Sequence, residues 1–473
     1  MKVLFIAAES HPFMKVGGLG DVSYALPKAL RKNGIDARVI LPKYGKIPEQ
    51  FKESMISVAE FKVPVGWRNQ YCGLQYLEYD GIPFYFIDNE YYFNRDNAYG
   101  YDDDGERFAF FDRAVLEAIN YMESFMPDVL HCNDWHTGMV LPLLKQHYRK
   151  FSNIKTIFTV HNLQYQGIFS KDILRELLDL DDSYFNEAAL KQYEGVSFMR
   201  GGLNFADKIS TVSSSYADEI KTQYFGEGLE ELLNYRKEDL WGIVNGIDFE
   251  LFNPATDKDI YYNFDSESIH GKSINKIELQ KFLKLPICSD IPMIGLVTRL
   301  VKQKGIDLVA NVIEELLQQE IQLVVVGTGD TEYENMFRYF AGKYPKKVSA
   351  NILFDNSLAK KVYASCDMFL MPSLFEPCGI GQLIALRYGT IPIVRETGGL
   401  KDTVRAYNET ENTGNGFSFT NYNANDMLYT IKRSIYYYYD KKIWASIVVN
   451  AMKEDNSWVK SAKVYENLYK SLI

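Results

Sequence analysis

The sequence predicts an α/β protein with two doubly wound domains, each built on a parallel sheet. Short apolar runs alternate with helical patterns along the amino-terminal half, starting with residues 3–8, and the same alternation begins again at residues 293–298. Such alternation is typical of parallel sheets that carry helices on both faces. Because ligands of these sheets bind beyond the carboxyl ends of the strands, we expect a cleft between the two domains.

The individual elements follow the same pattern in order along the chain. In the first half, strands are expected at 36–41, 127–131, 156–160 and 208–212, with helices at 108–122 and 138–147. Residues 57–87 instead contain short alternating runs, with Cys72-Gly73 and Asp80-Gly81 as turn candidates, which predicts an antiparallel insertion. In the second half, strands are expected at 293–298, 323–327, 351–354, 368–371 and 391–394.

Domain boundaries are expected where a strand enters a turn, at residues 241–248. We therefore predict an amino-terminal domain over residues 1–244 and a carboxyl-terminal domain over residues 245–455. Residues 456–473 form a final helical segment.

Composition limits the class of protein and its partners. The chain has 473 residues, of which 47% are hydrophobic and 24% charged, as in ordinary globular proteins. A formal net charge of −10 argues against nucleic acid or an anionic membrane as the main partner. No apolar run is long enough for a signal peptide or a membrane span, so we expect a cytoplasmic location. The five cysteines include no C-x-x-C pair, which argues against a disulfide framework or a zinc site.

A glycine-rich segment with the letters K-V-G-G-L-G-D, residues 15–21, joins the first strand to an amphipathic helix. Glycines let the backbone approach a ligand, and a helix start presents unpaired N–H groups, so this segment suits an anion. A tight turn without a ligand is the alternative. The segment differs from the dinucleotide fingerprint G-x-G-x-x-G, because residues 9–15 intervene and the order is G-G-x-G.

A second candidate anion site lies in the carboxyl-terminal half. The turn from Glu376 to Gly381 follows the strand at 368–371, and Pro377 occupies a position that we expect to begin a helix. Arg299 and Lys304 follow the strand at 293–298, where both cations can neutralise a diphosphate, unless they are only a surface basic patch. Glu376 is either an acid in the first turn of a helix or an acceptor for sugar hydroxyls.

The sequence does not predict a metal site. None of the six histidines forms an H-E-x-x-H motif. Residues 102–104 are three aspartates in a polar stretch, and we interpret them as a solvated loop.

Short segments spread in order over nearly the whole chain carry a resemblance to a known family. They are residues 15–22, 131–136, 159–162, 245–248, Arg299 with 303–305, 375–379 and 397–404. Through these segments the chain resembles the bacterial glycogen synthases, which are similar to the plant starch synthases. Two positions depart from that pattern: Leu374 stands where an arginine is usual, and Ser214 where a proline is common.

The resemblance implies a fold and an activity. The fold is the GT-B architecture of two Rossmann-like domains that face each other across a cleft, with the helix near residues 457–472 returning to the first domain. The activity is that of a glycosyltransferase in glycogen biosynthesis, which transfers glucose from ADP-glucose to the non-reducing end of an α-1,4-glucan with retention of anomeric configuration. No metal or other cofactor is implied, and ADP-glucose is preferred to UDP-glucose by the resemblance alone.

The resemblance also implies roles for particular residues. The catalytic residues would be Lys15, His161, Arg299, Lys304 and Glu376, with the His161 backbone carbonyl facing the developing oxocarbenium ion. The donor would further contact Gly17, Gly18, Asp21, Tyr99, Asn162, Asn245, Cys378, Gly379, Ile380 and Gly381, with Tyr99 stacked on adenine. The acceptor glucan would contact Glu9, Asp134 and Trp135.

Three other functions compete with this prediction. A related glycosyltransferase would make a lipid-linked or small-molecule glucoside and would not extend a glycogen primer. A nicotinamide-dependent oxidoreductase would share the fold, but the missing G-x-G-x-x-G fingerprint argues against it. A non-catalytic glucan-binding protein would not turn over the donor.

Overall fold

The computed structural model describes residues 1–473, and the chain divides into two compact units. The first unit comprises Met1–Asn245 and Trp458–Ile473, and the second comprises Gly246–Ser457. Each unit contains one large sheet with helices around it, so the predicted alternation of strands and helices is present in both halves.

The first unit is built on a nine-stranded sheet. Its strands are β1 (Lys2–Ile6), β2 (Asp36–Pro42), β3 (Ile56–Val65), β4 (Arg68–Tyr79), β5 (Ile82–Asp88), β6 (Val129–Asn133), β7 (Lys155–Val160), β11 (Lys208–Thr211) and β12 (Leu240–Gly242), and a small separate sheet contains β8 (Ile168–Phe169), β9 (Lys191–Gln192) and β10 (Gly195–Ser197). The strand order in the large sheet is β12-β11-β7-β6-β1-β2-β5-β4-β3. The seven strands from β12 to β5 are parallel, whereas β4 and β3 are antiparallel.

Helices flank this sheet. They are α1 (Gly18–Lys32), α2 (Glu49–Lys52), α3 (Glu90–Phe93), α4 (Asp104–Ala118), α5 (Val140–His147), α6 (Ile173–Glu176), α7 (Phe198–Phe205), α8 (Ser214–Glu219) and α9 (Glu230–Tyr235). Strand β1 lies at the centre of the nine-stranded sheet. Its residues from Val3 to Ile6 are fully buried, because helices cover both faces of the sheet.

The predicted antiparallel insertion is present, but one of its expected turns was wrong. Cys72 and Gly73 lie inside β4, where they pair with Phe61 and Glu60 of β3. A Cβ atom at Gly73 would lie 3.2 Å from the Asp88 Cβ on the neighbouring strand, so this glycine permits close packing within the sheet. The β3–β4 turn instead lies at Gly66 and Trp67.

The second unit is built on a six-stranded parallel sheet with the order β15-β14-β13-β16-β17-β18. Its strands are β13 (Met293–Val297), β14 (Gln322–Val326), β15 (Val348–Asn351), β16 (Met368–Met371), β17 (Ile391–Arg395) and β18 (Phe417–Phe419). The strand expected at 351–354 therefore lies three residues earlier. Leu353 and Phe354 are exposed, so the apolar run in this segment was misleading.

Helices again cover the second sheet. They are α10 (Gly271–Phe282), α11 (Ile306–Gln318), α12 (Thr331–Lys343), α13 (Asn356–Ser365), α14 (Gly381–Arg387), α15 (Gly398–Thr403), α16 (Ala424–Tyr439) and α17 (Lys441–Met452). None of the helices in the chain combines the length and hydrophobicity that a membrane span requires.

The last helix, α18 (Trp458–Lys470), belongs to the first unit and packs against α1. Its Tyr469 hydroxyl lies 2.8 Å from His131 Nδ1, and His131 Nε2 lies 2.6 Å from the Thr159 hydroxyl, which in turn contacts Ser210. These groups are buried, and burial lowers the pKa of His131 to about 3, so its imidazole is neutral. A neutral imidazole has one donor and one acceptor nitrogen, and the two hydroxyls match them.

We expect Tyr469→Phe to destabilise the first unit because it leaves a buried imidazole nitrogen without a partner. A loss of that kind costs about 1–3 kcal/mol, which should appear as a lower Tm in thermal unfolding. The control is Tyr436→Phe, which removes a hydroxyl from an exposed ring. Equal Tm values for the two variants would contradict a stabilising role for this buried network.

Candidate active site

The glycine-rich segment of the first unit lies at the start of α1. The helix begins at Gly18 with Gly17 as its cap, earlier than the apolar pattern suggested. The Glu9 carboxylate accepts hydrogen bonds from the backbone N–H groups of Val16 and Gly17, the latter at 3.1 Å. Two amides that we expected to face a phosphate are thus bound by a carboxylate of the same chain. Burial raises the pKa of Glu9, although both amide hydrogen bonds oppose that shift.

Lys15 and Asp21 form an ion pair beside this segment, with Lys15 Nζ 2.8 Å from Asp21 Oδ1. Both side chains are partly exposed, so the pair itself adds little stability. The Lys15 side chain lies over the first turn of α1 because Gly20 has no side chain: a Cβ there would be 3.0 Å from Lys15 Cγ. The glycine therefore sets the position of the lysine.

Asp134 and His161 follow β6 and β7, which are neighbouring parallel strands. The Asp134 carboxylate accepts hydrogen bonds from the backbone N–H groups of His161, at 2.7 Å, and Asn162, at 3.4 Å. Its backbone has a positive φ of 56°, which directs the carboxylate toward the second loop. Burial, and then the negative charge of Glu9, raise the pKa of Asp134 to about 7.

The His161 side chain is held by a hydrogen bond to Asn133, the last residue of β6. Its Nε2 atom lies 2.9 Å from the Asn133 side-chain oxygen, so Nε2 carries the proton and donates. Burial lowers the pKa of His161 to about 3. A histidine with such a pKa is neutral at physiological pH and does not act as an acid there.

A pocket of about 480 Å³ lies beside this cluster in the first unit. Trp135 is the predicted acceptor residue that lines it, and the other lining residues include Gln164, Gln166, Phe169, Tyr193 and Glu227. Sequence reasoning missed these five. Gln164, Gln166 and Phe169 lie within seven residues after the T-V-H-N segment at 159–162. That segment was the one signal in the sequence that could have indicated them. Tyr193 and Glu227 stand in stretches without any motif.

Tyr101 and Asp104, which belong to the segment before and at the start of α4, also line this pocket. The solvated loop expected at 102–104 is wrong for Asp104, which is buried, begins α4, pairs with Arg107 and accepts a hydrogen bond from Gly100 N at 2.6 Å. Tyr99 was expected to stack on adenine. Its ring lies 4.6 Å from that of His136, at an angle of 43°.

The last two predicted polar residues of the first unit are amides. Asn162 Oδ1 accepts a hydrogen bond from Gln164 N at 3.1 Å, which stabilises the local turn. Asn245 is buried, and its Oδ1 atom has no hydrogen-bond partner within the chain. Such an acceptor is suited to a hydroxyl donor from a ligand.

The second unit brings three predicted catalytic residues onto two adjacent strand ends. Lys304 follows β13 and Glu376 follows β16, and these strands are parallel neighbours. Lys304 Nζ lies 2.6 Å from Glu376 Oε2, which also accepts a hydrogen bond from the Ser373 hydroxyl at 3.1 Å. Arg299, on the same loop as Lys304, has an exposed side chain that lies 3.4 Å from Gln303 Oε1.

The turn after Glu376 departs from our expectation. Helix α14 begins at Gly381 after Ile380, so Pro377 is not its first residue; Cys378 and Gly379 form a turn with φ of +78° at the glycine. A left-handed conformation at Gly379 prevents the helix from starting earlier.

A pair of glycines in α15 packs directly against this turn. A side chain at Gly398 would collide with the Glu376 carbonyl oxygen, and one at Gly399 with that of Cys378. Gly399 N also donates to Pro377 O at 3.1 Å. The glycines at 398 and 399 therefore hold the backbone of Glu376 in place.

No group of three or more His, Cys, Asp or Glu side chains is arranged to hold a metal ion.

Known protein families match most of the chain. Residues 2–235 match the family model of the starch synthase catalytic domain, and residues 280–435 match that of glycosyl transferases group 1. The chain is 64% identical to the glycogen synthase of Clostridium acetobutylicum, with 100% of both chains covered. It is 60% identical to that of Clostridium novyi, over 100% of this chain and 99% of the other.

A solved structure shows the same architecture. The catalytic domain of starch synthase IV from Arabidopsis thaliana, bound to ADP and acarbose, superimposes with a TM-score of 0.92 at 34% identity and covers 99% of each chain. The two Rossmann-like halves of the predicted GT-B fold and the predicted glycosyltransferase activity are thereby confirmed. The chain belongs to the glycogen synthase family, whose activity is the transfer of glucose from ADP-glucose to an α-1,4-glucan.

Proposed function

We propose that this chain transfers glucose from ADP-glucose to the non-reducing end of glycogen, with Arg299 and Lys304 stabilising the departing diphosphate. The observation that carries the proposal is the Lys304–Glu376 contact of 2.6 Å, which lies beyond two adjacent parallel strands. In open α/β sheets, ligands bind at this edge. A lysine has three donor hydrogens, so Lys304 can contact Glu376 and phosphate oxygens together.

Glu376 is proposed to accept hydrogen bonds from hydroxyls of the transferred glucose. Its second partner is the Ser373 hydroxyl, and together with Lys304 it fixes the carboxylate orientation. Both contacts fall on Oε2, so Oε1 remains for the sugar. The carboxylate orients the sugar, and the cations bear the charge that develops on the leaving group.

In the first unit, Lys15 is proposed to bind the donor near Gly17 and Gly18, with Asp21 as its ion-pair partner. His161 is proposed to act through its backbone carbonyl, which faces the developing oxocarbenium ion. The neutral imidazole and the hydrogen bond from His161 N to Asp134 support that role, because both fix the loop without providing an acid. Tyr99, Asn162, Asn245 and the backbone of residues 378–381 complete the proposed donor contacts.

Retention of configuration is proposed to arise from substitution on one face of the sugar. The bond between the anomeric carbon and the diphosphate oxygen breaks as the acceptor oxygen approaches from the same side. The acceptor hydroxyl then gives its proton to the departing phosphate. No enzyme carboxylate is proposed as a nucleophile, since Glu376 is assigned to the sugar hydroxyls and no second carboxylate is assigned opposite it.

The acceptor glucan is proposed to enter the pocket of the first unit that Trp135 lines. Glu9 and Asp134 are proposed to contact the same glucan, and a tryptophan ring suits the apolar face of a sugar. The Oε1 atom of Gln166, which also lines the pocket, has no partner within the chain. A cytoplasmic location and metal independence stay predictions of the sequence.

The substrate assignment predicts that purified protein extends a glycogen primer with radiolabelled ADP-glucose in the presence of EDTA. UDP-glucose at the same concentration should be the poorer donor. Incorporation into lipid or a small-molecule glucoside in place of glycogen would support the rival transferase. Activity lost in EDTA and restored by manganese would contradict a metal-independent mechanism.

The charge assignment predicts that Lys304→Ala or Arg299→Ala lowers turnover by about 10²–10³ because each removes a preorganised positive charge. Initial rates with saturating donor and primer measure the effect. The control is Lys302→Ala, an exposed lysine on the same loop. Rates for Lys304→Ala or Arg299→Ala that equal the control rate would refute the role of that cation.

The packing assignment predicts that Gly398→Ala, which forces the Glu376 backbone to move, lowers turnover by about 10²-fold in folded protein. The matched control is Gly342→Ala in α12, where an added Cβ meets no atom within 4 Å. Circular dichroism establishes that both variants are folded. Unchanged turnover in Gly398→Ala would show that the position of Glu376 is not critical.

A further inference from the structure

The turn between β3 and β4 is fixed to the body of the first unit. Gly66 N donates a hydrogen bond to Leu177 O at 3.0 Å, and Gly66 has a positive φ of 55°. A side chain at this glycine would collide with the carbonyl oxygen of Glu176, the last residue of α6. The turn is therefore held in one position by backbone contacts.

This anchored turn carries Trp67, whose side chain is 85% exposed. The Arg68 guanidinium lies 5.9 Å from the centre of its ring. Arg68 in turn forms an ion pair of 2.9 Å with Glu106, which accepts a hydrogen bond from the Tyr92 hydroxyl at 2.6 Å. A single exposed apolar side chain is ordinary, but here a rigid turn presents a large ring beside hydrogen-bonding groups.

A second exposed ring is connected to these polar groups through Tyr92. Tyr91 is 69% exposed, and its ring packs edge to face on Tyr92 with centroids 5.0 Å apart. The Tyr91 carbonyl accepts a hydrogen bond from Arg95, which pairs with Asp103. The charged side chains that connect the two rings are therefore paired with one another, Arg68 with Glu106 and Arg95 with Asp103.

The turn that carries Trp67 is connected to the pocket that we assign to the acceptor through packed residues of the first unit. Phe169, which lines the pocket, and Ile173 both lie about 3 Å from the Cβ position of Gly105. Ile173 begins the short helix α6, and Glu176 at its end touches Gly66. A path of contacting residues therefore leads from the pocket to the Trp67 turn.

We propose that Trp67 and Tyr91 form an outer binding surface for the glucan chain whose end enters the pocket. This inference rests on the proposed function. Aromatic rings pack on the apolar faces of glucose units, while Arg68, Glu106 and Arg95 offer donors and acceptors to the hydroxyls. A neutral polymer suits a surface of balanced charge, whereas an anionic partner would need an excess of cations. The surface binds long chains and leaves the chemical step unaffected.

The test compares Trp67→Ala and Tyr91→Ala with Tyr235→Ala, which removes a ring that is also 85% exposed on the first unit. Affinity electrophoresis in gels containing glycogen measures binding without requiring turnover. We expect each of the two surface variants to raise the apparent Kd and the KM for glycogen by up to about tenfold. Turnover, the KM for ADP-glucose and the KM for maltotriose should stay at the parent values.

The outcomes separate this inference from the proposed function. If the parent protein extends glycogen and both surface variants migrate like Tyr235→Ala, the surface is not a glucan site. A rise in the KM for maltotriose equal to that for glycogen would also overturn it, because a short chain does not reach beyond the pocket. If the parent protein fails to extend any glucan, the proposed function fails first, and binding in the gel still tests the surface.

Discussion

The placement of most candidate site residues depends on the order of the strands in the two parallel sheets. In the second unit, β13 lies between β14 and β16. The chain goes from β13 to β14 on one side of the sheet, and from β16 to β17 on the opposite side. In the first unit, β1 lies between β2 and β6 in the same way. Loops diverge at such a point and leave room beyond the strand ends. Lys304 and Glu376 occupy that position in one sheet, and Glu9 and Asp134 in the other.

At these strand ends, buried and partly buried carboxylates organise the loops. Glu9 binds two amides of the glycine-rich segment, and Asp134 binds the amides of His161 and Asn162. Glu376 instead binds a lysine and a hydroxyl. A carboxylate removed from water must be hydrogen-bonded, so each acid fixes the groups around it. The acids assigned to substrate contacts are thus also the groups that hold the loops in shape.

The sequence predicts much of the frame but fewer of its contacts. Strand β1 was found because a strand buried on both faces is a continuous apolar run. The same rule failed at residues 351–354, where an apolar run ends in the exposed Phe354. The turn assigned to Cys72-Gly73 failed because a glycine also serves inside a strand when a neighbour approaches closely. Both failures concern tertiary neighbours, which local composition does not contain.

The electrostatics of the first unit limit how the proposed reaction can dispose of a proton. His161 has a pKa of about 3, because burial disfavours its charged form, and its Nε2 hydrogen is donated to Asn133. Asp134 has a pKa of about 7, but one of its oxygens already accepts the amides of His161 and Asn162. Neither group is therefore assigned an acid or base role in the proposed reaction. The phosphate oxygen released at the broken bond is then the natural destination for the acceptor proton, because its basicity increases as the bond breaks. In the proposed reaction the enzyme then holds the sugar, excludes water and stabilises the negative charge through Arg299 and Lys304.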